Sequence, residues 1–296
     1  MAENRGTRRL LCFGLGYSAR VLATRLIAEG WEVRGTARDP EAAVARAPGC
    51  ESYRFDRGHP LPPAAFDGVT HVLVSVPPDA EGDPVLDTHG DEIAVLSSLV
   101  WLGYLSTTGV YGDRRGGWVD EGSELHPSGE RGRRRVAAEA GWLDLWRRRG
   151  VPVHIFRLAA IYGPGRSPFA ALRQGTAKRI LKPGQVFSRI HVEDLASVLA
   201  ASIAKPCPGA VYNVCDDEAA PPEAVVAYAA ELLGVEPPPL VPFEEAGLSA
   251  LARSFYDDNK RVSNARIKRE LGVALRYPTY RDGLRAILRE EARDLP

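Results

Sequence analysis

Charge of one sign is what this sequence most plainly lacks. Its 296 residues carry 38 Lys and Arg against 38 Asp and Glu, a formal net charge of zero. Surfaces that bind nucleic acid usually carry a basic excess, so the balance argues against a nucleic-acid partner. Lysine is scarce as well: 33 of the cations are Arg and only five are Lys. The planar Arg fork suits phosphate and carboxylate better than an ammonium does. The four cysteines (Cys12, Cys50, Cys207, Cys215) show no CxxC spacing and read as reduced thiols of a cytosolic protein. The six histidines are scattered without metal-ligand spacing, so no metal site is expected. No apolar run approaches the ~20 residues of a membrane span. Arg8-Arg9 ahead of Leu10-Leu11 imitates a twin-arginine signal, but the apolar stretch ends at Gly16 and Arg20 soon follows. A signal core needs about 7–15 apolar residues and a small-residue cleavage site. The segment therefore reads as a first strand, and the protein as cytoplasmic.

What is present is a regular alternation. The 45% hydrophobic and 26% charged fractions are those of a globular protein, and the length suits two domains or one α/β unit with an appendage. Short apolar runs at 8–14, 31–37, 51–56, 70–76, 101–107 and 151–158 read as strands. Helical patterns lie between them, among them 18–30, Pro84 to Ser98 and Gly129 to Arg149. Strands separated by helices imply βαβ crossovers, hence an α/β Rossmann-type doubly wound parallel sheet. Beyond Ile161 proline density rises and the rhythm breaks. The reading is residues 1–164 as a first domain and 165–296 as a smaller α/β region, the parts that the motifs below give to dinucleotide and substrate binding. Segments 186–215, "RIHVEDLASVLAASI" and "AVYNVCD" among them, return to the first domain.

Gly14, Gly16 and Ala19 in "CFGLGYSAR" match the G-x-G-x-x-G/A turn, with Tyr17 and Ser18 inside it. The first glycine permits a tight turn and the second lets the backbone approach a pyrophosphate. The small third residue packs helix on strand, and the helix N-terminus faces the phosphate charge. The turn follows a strand and opens a helix, which is the context that gives the motif meaning. At the end of the second strand, Asp39 before Pro40 reads as a helix N-cap. That leaves Arg38 on the ribose side, where Arg accepts a 2′-phosphate, so NADP is expected rather than NAD.

With "LSTTGVYGD", "FRLAAIYGPGR" and "RIHVEDLA" in that order after the glycine turn, the chain resembles an extended short-chain dehydrogenase/reductase of the NAD(P)-dependent epimerase/dehydratase family, in an atypical branch. The resemblance covers nearly the whole chain. It implies a Rossmann domain holding nicotinamide and a C-terminal substrate region, with a homodimer through a four-helix bundle common. By motif it implies Asp56 near adenine, Ser75 and Val76 beside the cofactor, and Thr107 as the catalytic hydroxyl. It also implies a Tyr, a Lys four residues on and a Glu four beyond that, the Tyr exchanging a proton with the substrate oxygen. Glu139 fits the Glu, which places Arg135 at the Lys and Arg131 at the Tyr. Arg135 could still bond the ribose, whereas a guanidinium that stays protonated above pH 12 cannot relay a proton.

Other groups near the motifs are weighed for that relay. Tyr111 of "VYG" and Tyr162 of "IYGPG" read first as packing residues, and His191 as a loop-fixing one. Ala160 stands where nucleotide-sugar epimerases often carry Asn, which counts against ordinary sugar-nucleotide epimerisation. Val136, Leu143 and Trp146 form an apolar stripe that fits either core or a dimer seam. Arg131 and Arg135, as two fixed cations at the cleft, suit an anionic ligand. The sequence thus points to an oxidoreductase acting on a small carbonyl or sugar-like compound, with a non-catalytic NADP(H) sensor as the alternative.

Overall fold

In a computed structural model of the chain, residues 7–41 and 47–293 are described. The strands run in order β1 (Arg9–Phe13), β2 (Glu32–Ala37), β3 (Cys50–Arg54), β4 (His71–Val74), β5 (Trp101–Thr107), β6 (Trp118–Val119), β7 (Val153–Leu158), β8 (Ala160–Tyr162), β9 (Arg179–Leu181), β10 (Arg189–His191), β11 (Val211–Val214), β12 (Leu240–Pro242) and β13 (Arg261–Val262). Seven of them form one sheet in the order β11-β7-β5-β4-β1-β2-β3, and the pairs β1/β2, β2/β3, β1/β4 and β4/β5 are parallel. This is the doubly wound α/β architecture. From β1 the chain winds outward through β2 and β3, then crosses back to β4 on the other side of β1. Such a reversal opens a crevice at the carboxyl ends of β1 and β4.

The chain divides into two compact units. The first comprises Met1–Thr107, Arg133–Arg157 and Ala196–Tyr212. Its strands carry near-continuous apolar runs because the sheet is buried on both faces; Leu10 to Phe13 and Val72 to Val74 are fully covered. Around them pack helix α1 (Tyr17–Ala28), helix α2 (Pro84–Ala94) and most of helix α3 (Glu130–Arg149). In α1 the covered face is Ala19, Leu22, Ala23 and Leu26, with Val21 half-buried. Helix α2 starts where Asp83 accepts N–H bonds from Val85 and Leu86, both at 3.0 Å. It ends at Ala94, four residues short of the expected Ser98, where Val95 N–H and Leu96 N–H turn to the i−3 carbonyls of Glu92 and Ile93, both at 3.3 Å. Of the apolar stripe on α3, Leu143 and Trp146 pack against this unit's core. A Cβ on Gly209 would stand 2.3 Å from the Trp146 ring, so that glycine makes the seat for the indole.

The second unit comprises Thr108–Gly132, Leu158–Leu195 and Asn213–Pro296. It holds three parallel two-stranded pairs, β8/β10, β9/β12 and β6/β13. One of its cores gathers Tyr162, Phe169, Val225, Ala229, Tyr280, Leu284 and Ile287. All four cysteines are free thiols. Among the described residues no helix is long and apolar enough to cross a membrane.

Candidate functional site

The glycine turn sits at the crevice where the sheet order reverses. Gly14 leaves β1 with φ +87°, a left-handed conformation open to glycine. A Cβ there would also lie 2.7 Å from Ser75 Oγ and 3.2 Å from Val76 Cγ2, so the turn and the end of β4 touch through the missing side chain. Ser75 Oγ donates to the Gly14 carbonyl at 2.5 Å, and Ser75 N–H to the Phe13 carbonyl at 2.8 Å. From β2, Thr36 Oγ1 accepts the Gly14 N–H at 2.9 Å and the Thr36 carbonyl accepts Leu15 N–H at 2.7 Å. Gly35 lets Leu15 settle on β2, since a Cβ there would come within 2.9 Å of the leucine. Gly16 is the N-cap of α1, offers no side-chain cap, and has no protein atom within 4 Å of where a Cβ would be. No acid lies in the helix's first turn, where half-buried Tyr17 and Ser18 stand, and Ala19 behind them is 1% exposed. The resulting concavity, with N–H groups and the positive end of a helix dipole, suits a phosphate-bearing ligand.

Thr36 and Gly35 are absent from the sequence-based site. Their only signal is a glycine inside a strand pattern, which marks a close approach of backbone or side chain. Arg38 is exposed just past β2, and Pro40 and Glu41 after it are helical, as an N-cap at Asp39 requires. Residues 42–46 lie outside the described residues. Asp56 follows β3 and organises its own turn. Its Oδ1 accepts from His59 Nδ1 at 2.7 Å and from Gly58 N–H at 2.9 Å, and the His59 bond holds its carboxyl below the usual range.

Thr107 is the last residue of β5 and is half-buried. The three residues before it are fastened to α3 and β7. Arg135 Nη1 donates to the Leu105 carbonyl at 2.6 Å and to the Tyr104 hydroxyl at 3.2 Å. One helical turn on, Glu139 accepts the Ser106 hydroxyl at 2.5 Å. It also pairs with Arg157 of β7, whose Nη2 lies 2.8 Å and Nε 3.2 Å from the carboxylate. Glu139 and Arg157 are 2% and 5% exposed, so this ion pair is shut off from solvent. The family resemblance finds Glu139, and sequence reading misses Ser106 and Arg157. Arg131, in the first turn of α3 and like Phe255 part of the second unit, is exposed and lies 5.2 Å over the Phe255 ring. Arg131 and Arg135 therefore have different neighbours and different degrees of burial.

The other relay candidates are held in structural roles. The Tyr111 hydroxyl donates to Asn213 Oδ1 at 2.8 Å in a fully covered site. The Tyr162 hydroxyl reaches the Thr279 carbonyl at 3.3 Å, and burial pushes its pKa far up. His191 packs against the Tyr162 and Tyr277 rings and accepts Glu193 N–H at 3.3 Å. Burial, helped by Arg276, lowers its imidazole to about 4. Ala160 on β8 is exposed. Elsewhere in the first unit a cleft of ≈ 330 Å³ lies among Asp79–Asp83, Leu86, Asp87 and Arg134, Ala137, Ala138 of α3. Arg57 clamps Asp79 through two bonds, at 2.7 and 2.9 Å, and reaches Asp87 at 2.8 Å, so two of the carboxylates there are already paired. The volume is at the lower end for a small-molecule pocket.

No family model matches the chain. A conserved protein of unknown function from Silicibacter pomeroyi DSS has a solved structure that is 56% identical, with a TM-score of 0.90 over 96% of this chain and 99% of that one. Protein YeeZ of Escherichia coli K12 is 28% identical over 290 residues, 92% of this chain and 97% of its own length. The solved dTDP-glucose 4,6-dehydratase of Bacillus anthracis str. Ames, in complex with NAD, is 17% identical with a TM-score of 0.75, covering 97% of each chain.

Proposed function

We propose, because the chain belongs to one family with the Silicibacter pomeroyi protein and has the extended short-chain dehydrogenase/reductase fold of the NAD-bound dehydratase, that it binds a nicotinamide dinucleotide at the β1/β4 crevice and acts as an oxidoreductase on a small carbonyl or sugar-like substrate. The observation that carries this is the glycine turn. Gly14 is held by Thr36 and Ser75, and Gly16 leaves open space at an N-terminus without a side-chain cap. Gly14, Gly16, Tyr17, Ser18 and Ala19 would cradle the pyrophosphate, Asp56 would stand near adenine, and Ser75, Val76 and Thr107 would flank the nicotinamide half. Exposed Arg38 would pair with a 2′-phosphate, which makes NADP the preferred form. When bound, the nicotinamide supplies or accepts a hydride.

On this reading Thr107 orients the substrate oxygen by a hydrogen bond, at a strand end that Arg135 and Glu139 keep in place. Arg135 has Nε and Nη2 left for a ribose hydroxyl. Arg131, exposed over the Phe255 ring, is a cation free of any carboxylate on that ring and would suit an anionic ligand group. The test is fluorescence titration with NADPH and NADH. Arg38→Ala should weaken NADPH by about tenfold, the worth of one charge-assisted bond, and leave NADH unchanged. Equal binding of the two cofactors by the unaltered chain would remove the NADP assignment.

A second reading, an NADP(H) sensor without turnover, is favoured by one observation: the position of the relay phenol holds a guanidinium. The two separate in a panel of carbonyl compounds with NADPH. An oxidoreductase consumes NADPH with some member, whereas a sensor binds it tightly and consumes none.

A further inference from the structure

Among the described residues, five arginines lie on the first three strands and in the turns that leave β2 and β3: Arg9, Arg34, Arg38, Arg54 and Arg57. Three of them are spent within the fold. Arg9 Nε donates to Glu32 Oε2 at 2.6 Å, and its Nη1 to the Asp67 carbonyl. Arg34 Nε donates to Glu51 Oε2 at 3.1 Å, while its Nη1 reaches the carbonyls of Ala64, Ala65 and Asp67. Arg57 is held by Asp79 and Asp87. The other two keep their forks. Arg38 is exposed and has no hydrogen bond or ion pair among the described residues. Arg54 has one carboxylate beside it, Asp56, whose Oδ2 lies 3.5 Å from Nε, beyond the usual hydrogen-bond length. That carboxylate is anchored by His59 and Gly58 and does not depend on Arg54.

Both uncommitted forks belong to the same end of the sheet. β2 and β3 run parallel with Ala37 opposite Arg54, and the Phe55 N–H donates to the Ala37 carbonyl at 3.2 Å. Arg54 therefore stands beside the residue that precedes Arg38, on a strand about 4.8 Å away. Ala37 brings only a methyl group to that neighbourhood. β3 is the last strand of the sheet, and the Arg54 side chain is 55% exposed. The carboxyl ends of the strands are where an α/β sheet takes its ligand, and the adenosine ribose of a dinucleotide lies past the second strand. A 2′-phosphate is a monoester with a second pKa of about 6, so it carries roughly −1.5 to −2 at pH 7. One guanidinium leaves part of that charge unbalanced. We propose that Arg54 is the second arm of a two-arginine clamp on the 2′-phosphate of NADP, gripping it from β3 while Arg38 grips it from β2. This rests on the NADP reading above and adds a residue that sets the choice of cofactor.

Calorimetric titration of the full chain with adenosine 2′,5′-bisphosphate and with 5′-AMP isolates that phosphate. Fluorescence titration with NADPH and NADH repeats the comparison on the whole cofactors. Arg54→Ala is expected to weaken the bisphosphate and NADPH by about tenfold each, one charge-assisted bond's worth, and to leave 5′-AMP and NADH unchanged. Arg54→Lys, which keeps the charge without the fork, should recover part of the loss. Arg38→Ala combined with Arg54→Ala should leave no preference between NADPH and NADH. Urea unfolding curves that overlay that of the unaltered chain show that the fold is intact. A preference for NADPH that survives Arg54→Ala at full strength, or an equal loss for NADPH and NADH, overturns the clamp and leaves the NADP reading standing on Arg38. An unaltered chain that binds both cofactors equally, or neither, defeats the reading itself and the clamp with it.

Discussion

Thr36 carries more of the glycine turn than its ordinary chemistry suggests. It is 1% exposed and gives the Gly14 N–H its acceptor, so removing the hydroxyl leaves a buried amide unpaired. Thr36→Val keeps the shape and should cost about 1–3 kcal/mol in urea unfolding. NADPH affinity in fluorescence titration should fall with it, because the turn loses one of its two anchors. An unchanged affinity with the stability loss intact would mean that Ser75 alone holds the turn. The glycines were legible in sequence because their pattern is local: Gly14, Gly16 and Ala19 lie within six residues. Thr36 was not, since its partner is 22 residues away. Nothing in a local window distinguishes such a residue from any other polar side chain.

At the scale of elements, α3 is bolted to the end of β5 by charges rather than by apolar packing alone. Burying an ion pair has a large desolvation cost, and breaking it by removing one partner leaves the other charge unpaired. Glu139→Ala should therefore destabilise by about 3–5 kcal/mol in chemical unfolding. Glu139→Leu combined with Arg157→Met, which removes both charges and roughly keeps the volume, should cost far less. Similar losses for the two variants would show that the Ser106 bond, not the ion pair, is the important tie. The elements themselves were largely readable: β5 spans the same Trp101–Thr107 as its apolar run, and α3 begins one residue from the expected start. The end of α2 was not: the segment after it is drawn to the sheet, Ser98 Oγ bonding the Val69 carbonyl and Val100 N–H the Thr70 carbonyl. Helical periodicity carries no trace of such a competitor.

For the whole molecule, the zero total charge is a sum over unequal stretches. Between Asp144 and Glu193 the sequence has no acid and ten cations. Protonation of buried groups adds a second unevenness. His154 is fully buried, with Nδ1 3.2 Å from the Leu102 carbonyl and Nε2 accepting Cys207 N–H at 2.8 Å, which fixes the neutral tautomer. Burial lowers its imidazole to about 4, whereas in the unfolded chain it returns to 6.5. Between those values the unfolded state takes up a proton that the folded state refuses, so His154's contribution is complete above pH 6.5 and is lost as the pH falls toward 4. The stability gap between the unaltered chain and His154→Gln should therefore narrow from pH 7 to pH 4, by up to about 3 kcal/mol. Urea unfolding at a series of pH values reads it. A gap independent of pH would place a charged imidazole in the folded state.

The bond from Arg135 to the Leu105 carbonyl bears on the descent of the chain. If an ancestor carried the phenol and the ammonium at positions 131 and 135, the present pair is not simply two substitutions away from it. The guanidinium at 135 is part of how β5 is held to α3, with Nη1 alone donating to both carbonyl and hydroxyl while Nε and Nη2 stay on its far side. A compact ammonium could serve the strand or the ribose, but it has no second arm with which to do both. Had such a pair been lost, its return would thus loosen the strand end on which a restored relay depends, and the loss would work as a ratchet.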